Sequence, residues 1–444
     1  MGADSQTWQE RVGSRHREID DVIAMIAGGD HVVLSVREPF GLGLGLAAGL
    51  GELHDVHVYT LAPSYDFGWY DEGWEEHVDL MIGYPTAIAR EALDAGRLDV
   101  YPGAVVPSLA PLPYTTGETP ADFYFVEVSP PDEHGFCSFG VALWDKRRMA
   151  RHSKVVVAEV NENLIRTYGE NYIHESEIDF FVDHVPTGRT PGQVGTLAGR
   201  PVREPPAYLR DIAGYVGEYV EDGSTVQIGV GRTTERLVQM GMLEGKRDIG
   251  FHSELTVPGV ITAAREGIIN GARKNQYPGK LVATSVGGGS FEEIRWAHQN
   301  PLFELLEAHR LMDIRTIAAE DRFVAINNVL SVDLTGQIAA ESIGPTLVGQ
   351  AGGQLVFVVA SWHSRGGHSL QVLPSTARDG TVSRIVPTHP PGTVITTPRN
   401  VVDKVVTEYG VAELKGRTLR QRAKALIEIA HPDHRDELRR QAGL

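Results

Sequence analysis

The chain has 444 residues, 42% of them hydrophobic and 22% charged, a balance that excludes disordered and collagenous classes and predicts more than one domain. Its 58 acidic against 41 basic residues leave a net charge of −17, a field that repels nucleic acid and anionic membranes, so an anionic partner needs a locally basic patch. A single cysteine, Cys137, excludes an internal disulfide; with no apolar leader and no run near the ~20 residues of a membrane helix, a cytoplasmic protein with no membrane partner is expected.

In chain order, β-branched runs at His31–Val36, Val56–Leu61, Phe123–Val128 and Val155–Val160 alternate with helical patterns. A Pro/Gly-rich stretch around Pro186–Ala207 then interrupts the pattern, which resumes with Thr225–Gly229, Lys280–Thr284, Val324–Asn327, Gln354–Val359 and Thr393–Thr396. The expectation is an α/β protein of two similar open domains with mostly parallel sheets: 1–190, a linker at 191–206, and 207–444. The segments beginning at Gly29 and Asp222 both run turn, strand, glycine-bearing loop and helix, a faint sign of duplication.

Three glycine-rich segments are candidate ligand loops. Gly43-Leu-Gly-Leu-Ala-Ala48 fits the relaxed dinucleotide pattern, but Arg37, Glu38 and Pro39 stand where the tight turn should begin, so close helix packing is the better reading. Gly229-Val230-Gly231 follows a predicted strand and offers backbone N–H groups to an anion or oxyanion. Gly349-Gln-Ala-Gly352-Gly353 precedes an apolar run and reads equally as a ligand loop or a turn. Three basic stretches, 146–154, 273–280 and 415–424, read as solvated surface.

Glu254, in Gly250-Phe-His-Ser-Glu254, is a carboxylate where a strand should end, the place at which α/β sheets gather ligands. Glu408 and Glu341 are similarly placed. His431 and His434 lie in a charged tail and no thiol–histidine ligand set occurs, so no metal is expected. Cys137 reads as a buried, inert thiol.

Several strings resemble the acetyl-CoA hydrolase/CoA-transferase family, which includes 4-hydroxybutyrate, butyrate and succinate CoA-transferases. They are Glu127–Gly140 (EVSPPDEHGFCSFG), Ala158–Asn163, Tyr172–Ser176, Gly250–Glu254, Val332–Gln337 with Ala340–Gly344, Pro374–Ala377 with Val382–Pro387, Val406–Gly410 and Ala430–Asp433, all in family order. The resemblance implies two α/β domains of the CoA-transferase (NagB/RpiA) type, a homodimer, and coenzyme A as co-substrate with no bound cofactor. It implies that CoA moves from an acyl-CoA to a small carboxylic acid, with Glu254 as the nucleophile that carries a glutamyl-CoA thioester; an acyl-CoA hydrolase using the same glutamate is the alternative. It also places Gly229, Val230 and Gly231 beside the nucleophile, and Gly352, Gly353 and Glu408 near the CoA. The chain departs from the family pattern at Gln350, Val356, Ala339 and Pro258 and in Arg232-Thr233-Thr234, replacements that point to a more apolar acyl pocket.

Overall fold

The computed structural model describes residues 7–103, 108–109, 111–188, 204–350 and 352–444. The chain gathers into two compact units, residues 1–200 with 294–309, and residues 201–293 with 310–444. The predicted linker at 191–206 lies, up to residue 203, outside the described residues.

In the first unit seven strands form one parallel sheet in the order Asp99–Val100, Val78–Ile82, Val56–Thr60, His31–Leu34, Phe123–Val128, Val155–Val160, Phe180–Asp183. The inner strands are almost wholly buried because both sheet faces are covered, which removes the alternation a half-exposed strand would show. The helix Phe40–Leu50 packs on the helix Ile19–Ile23, and its glycines let the two approach. A Cβ on Gly43 would meet the Phe67 ring at 2.4 Å and one on Gly49 would meet Ile23 at 2.4 Å. Gly43 thus lies inside a helix as a packing device, not in a turn facing a ligand. Residues 294–309 join this unit through Leu305, which exchanges backbone hydrogen bonds with Tyr168 and Glu170, and through Glu307, which accepts from the Arg148 N–H at 2.8 Å.

The second unit repeats the plan. Its strands run Leu281–Ser285, Gly250–Leu255, Thr225–Ile228, Phe323–Asn328, His368–Val372 and Lys404–Thr407, all parallel, with Gly410–Glu413 returning antiparallel at the edge. In both units the chain begins at a central strand, builds outward on one side, then crosses back and builds on the other. The faint echo between Gly29 and Asp222 therefore marks the first, central strand of each unit.

Two predicted strands differ. Gln354–Val359 is the start of the helix Gln354–His363, and Thr393–Thr396 is irregular between Gly392 and Pro398. Two of the basic stretches are also not simple solvated surface. Lys146 is only 3% exposed and Lys274 only 6%; the third stretch is largely exposed, with Lys415 over the Trp362 ring at 4.0 Å.

Lys274 shows what such burial requires. Its ammonium donates to the Phe251 carbonyl at 3.0 Å and sits 3.9 Å from Glu320, whose carboxylate accepts the N–H groups of Asn275 and Gln276. Burial pulls Lys274 down to about 8 and pushes Glu320 up. Removing one partner leaves the other uncompensated in the core. Lys274→Met should cost about 3 kcal/mol, read as a lower urea midpoint at unchanged m-value.

Candidate active site

The strand Gly250–Leu255 is an inner strand of the second sheet, paired on one side with Thr225–Ile228 and on the other with Leu281–Ser285. Glu254 is its penultimate residue, so its side chain leaves the sheet at the carboxyl end of a parallel strand. Ser253, on the opposite face, ties the strand down by donating to the Ile228 carbonyl at 3.0 Å while its oxygen receives the Ile228 N–H at 3.3 Å.

Glu254 is half-buried, and its carboxylate accepts one hydrogen bond among the described residues, from the Gly353 N–H at 2.5 Å. Desolvation by burial pushes its pKa up from 4.5 to about 7, opposed only by that N–H. No charged side chain contributes to the shift, so this is an acid raised by its surroundings without an ion pair. Such a group is ionised in useful amount at neutral pH yet remains free to react.

Gly353 caps the helix Gln354–His363, and Gly352 precedes it with φ +55°, a left-handed conformation that an L side chain rarely adopts. A Cβ on Gly353 would lie 2.5 Å from Glu254 Oε1, 2.7 Å from the Phe357 ring and 3.0 Å from the Met312 sulfur. On Gly352 it would lie 3.3 Å from the same carboxylate. The segment expected as either a ligand loop or a turn is thus a glycine pair pressed against the acid, at the N-terminal end of a helix where N–H groups face outward.

Gly229, Val230 and Gly231 follow the neighbouring central strand, at the point where the chain order reverses between Thr225–Ile228 and Phe323–Asn328. The loop folds onto two amides that the sequence did not single out. A Cβ on Gly229 would meet Asn327 Oδ1 at 3.0 Å, and one on Gly231 would meet Asn328 at 2.6 Å. The Asn327 Nδ2 and Gln227 Oε1 atoms there are buried without a hydrogen-bond partner, while the Val230 side chain is 40% exposed. The Gln227 and Asn327 amides pair with each other, Gln227 Nε2 donating to Asn327 Oδ1 at 3.2 Å, which leaves one donor and one acceptor unused beside the glycine loop.

Glu408 follows the strand Lys404–Thr407 at the same end of the sheet, but its carboxylate is engaged by the Ser375 N–H at 2.9 Å and the Ser375 hydroxyl at 2.5 Å. The structure therefore brings Gly352 and Gly353 into contact with Glu254, sets Gly229–Gly231 at the end of the adjacent strand, and holds Glu408 three strands further along. Glu341, the third acid considered, accepts the Val348 and Gly349 N–H groups through its backbone oxygen, and burial pushes its carboxyl up.

Of the departing positions, Val356 and Ala339 are fully buried in packed elements. Cys137 is also buried, with its thiol pushed up to about 12, and His134 is exposed. The His431 ring caps the helix Pro432–Gln441 by accepting the Asp433 N–H, and its neighbour is Tyr409. Among the described residues no group of three or more His, Cys, Asp or Glu side chains is arranged to hold a metal ion, and no helix is long and apolar enough to cross a membrane.

Comparison with known proteins adds a family match, two relatives and a solved structure. Residues 289–442 match the model of the acetyl-CoA hydrolase/transferase C-terminal domain. The chain is 34% identical over 440 residues to 4-hydroxybutyrate coenzyme A transferase of Clostridium kluyveri, covering 97% of this chain and 98% of that one. It is 37% identical over 427 residues to succinyl-CoA:cyclohexane-1-carboxylate CoA transferase of Geobacter metallireducens, covering 94% and 92%. The crystal structure of RipA from Yersinia pestis superposes with a TM-score of 0.86 at 30% identity, over 98% of this chain and 99% of that one.

Proposed function

The chain belongs to the acetyl-CoA hydrolase/transferase family, and from that premise we propose that it is a CoA-transferase in which Glu254 carries CoA between two carboxylic acids. The observation that supports this most directly is the Glu254 carboxylate itself at a strand end, raised to about 7 by burial and, among the described residues, touched by the Gly353 N–H with no cation paired to it.

The steps follow from that group. The ionised carboxylate attacks the carbonyl carbon of an acyl-CoA. The C–S bond breaks and CoA thiolate leaves, giving an acyl-glutamyl anhydride. The thiolate then attacks the glutamyl carbonyl, expelling the free acid as carboxylate and leaving Glu254 as its CoA thioester. An incoming carboxylate reverses both steps and leaves as the new CoA ester. Two covalent steps conserve the thioester without a nucleoside triphosphate.

Each attack builds an oxyanion, and a preorganised N–H lowers that barrier by several kcal/mol. The Gly353 N–H is the group already aimed at the Glu254 carboxylate, and so at the oxygen of an ester formed on it. Gly229–Gly231 supplies a second set of backbone donors at the adjacent strand end. CoA is a co-substrate, with Gly352, Gly353 and Glu408 on its side of the site. The acid is a short organic acid: the two relatives compared are named for 4-hydroxybutyrate and cyclohexane-1-carboxylate.

The test is intact-protein mass spectrometry after incubation with acetyl-, butyryl- and succinyl-CoA, followed by borohydride reduction. The expected result is a CoA-sized adduct that maps to Glu254 and is discharged by added carboxylate. Loss of thioester at the same rate with and without added acid, and no adduct, would replace transfer by hydrolysis.

A further inference from the structure

We propose that His252 is a positioning residue for Glu254, a neutral peg that holds the Leu311–Met312 segment against Gly353 and so fixes the N–H that the glutamate accepts. The inference rests on the reading of Glu254 as the reactive group. In a strand, residues two apart share a face, so His252 and Glu254 leave the sheet on the same side.

His252 is fully buried, and its Nε2 lies 2.7 Å from the Leu311 carbonyl. A carbonyl only accepts, so Nε2 carries the proton and donates, which leaves Nδ1 as a bare lone pair. That Nδ1 is buried with no partner. A second proton there would place a cation in the core beside Lys274, and no carboxylate among the described residues acts to raise the ring's pKa. Burial and Lys274 together hold the imidazole down at about 3. The ring is packed edge-on to Phe323, which in turn stacks on Phe357, so it has no freedom to turn away.

The bond reaches the site through one residue. Met312, directly after Leu311, is fully buried, and its sulfur is one of the three atoms that a Cβ on Gly353 would strike, the other two belonging to Phe357 and to Glu254 itself. Asp313 then caps the helix Ile314–Ala318, which packs against the helix Gln354–His363 that Gly353 opens. His252 therefore links the nucleophile's own strand to the wall on its other side. A neutral peg does this without placing a counter-charge under Glu254, whose acidity responds only to burial and to the Gly353 N–H. Lys274, the charged side chain that acts on the peg, binds the Phe251 carbonyl toward the start of the strand and is not among the influences on Glu254.

The experiment compares His252→Leu, His252→Gln and His252→Asn in the full chain. The glutamine amide nitrogen reaches the Nε2 position and can donate to Leu311, whereas asparagine stops at the Nδ1 position. Two quantities are read: kcat and KM for acetyl-CoA with butyrate, and the titration midpoint of Glu254 by carbon NMR of δ-labelled glutamate, assigned by its loss in Glu254→Gln.

Burial is the larger of the two influences on Glu254, so loosening the wall and admitting water should move its midpoint down. In the Leu and Asn variants a fall of at least about one unit is expected, with kcat reduced ~30-fold and KM changed less than about threefold; Gln should restore both. A folded Leu or Asn variant with the wild-type midpoint overturns the proposal, as does a Gln variant whose midpoint falls as far as that of Asn. If the wild type turns over no acyl-CoA, the transfer reading fails, while the NMR comparison still decides the role of His252.

Discussion

Glu254→Gln is expected to end CoA transfer, lowering the rate by ~10³-fold or more and leaving no CoA adduct. The substitution keeps the shape of the side chain and removes its nucleophilic oxygen, so the fold should survive. Stability gives an independent reading. Glu254 is raised to about 7 in the folded chain from 4.5, so the folded state binds this proton more tightly than the unfolded one. The stability this proton contributes is fully present below pH 4.5 and is lost as pH rises through 7. Glutamine, always neutral, escapes that loss. Discounted for the half-exposed position, Glu254→Gln should be about 1–2 kcal/mol more stable than wild type at pH 8 and indistinguishable at pH 4. The wild-type covalent step should follow the ionised fraction, falling roughly tenfold for each pH unit below about 6. A Gln variant that still turns over would remove Glu254 from the chemistry.

Gly353→Ala carries the second largest expected effect. Its methyl would be placed 2.5 Å from a Glu254 oxygen, 2.7 Å from the Phe357 ring and 3.0 Å from the Met312 sulfur, so one of them must yield. The carboxylate is the least tightly packed of the three. Displacing it breaks its one hydrogen bond, and a rate loss of ~10²–10³ follows from the loss of a single preorganised donor. Because the strain falls on the site and not on the sheet, the thermal midpoint should change far less than kcat. Steady-state kinetics alongside a melt separates the two; a Gly353→Ala enzyme within threefold of wild type would show that this N–H is dispensable.

Much of this architecture was readable from residues. The β-branched runs His31–Val36, Phe123–Val128 and Thr225–Gly229 are inner strands of parallel sheets, and the carboxylate expected at a strand end stands there. Gln354–Val359 was misleading because Val356, Phe357 and Val358 are all fully buried. A helix covered on every side shows no 3.6-residue period, and its two leading glycines resemble a turn as much as a cap. Thr393–Thr396 has strand-like residues, but Pro390, Pro391, Gly392 and Pro398 bracket it, and its pairing is confined to an isolated bridge with Ile338 at Thr397. Asn328 could not be picked out at all, while Asn327, Lys274 and His252 stood only inside strings noted for other reasons. Each matters through a partner far along the chain: His252 meets Leu311 59 positions away, and Gly231 packs on Asn328. A polar residue in a strand announces its chemistry only once the neighbouring strands are in place.

The return of residues 294–309 to the first unit has a consequence for how this chain comes into being. The N-terminal sheet is complete in sequence by Asp183, yet the segment bearing Leu305 and Glu307 that finishes the unit is made after nearly half of the second unit. At ~5–20 residues per second, a ribosome needs about 6–25 further seconds to reach Glu307. During that interval the backbone groups of Tyr168 and Glu170 and the Arg148 N–H lack the partners they will have in the finished protein. The first unit is thus complete in sequence only at residue 309, when the second still lacks its residues 310–444.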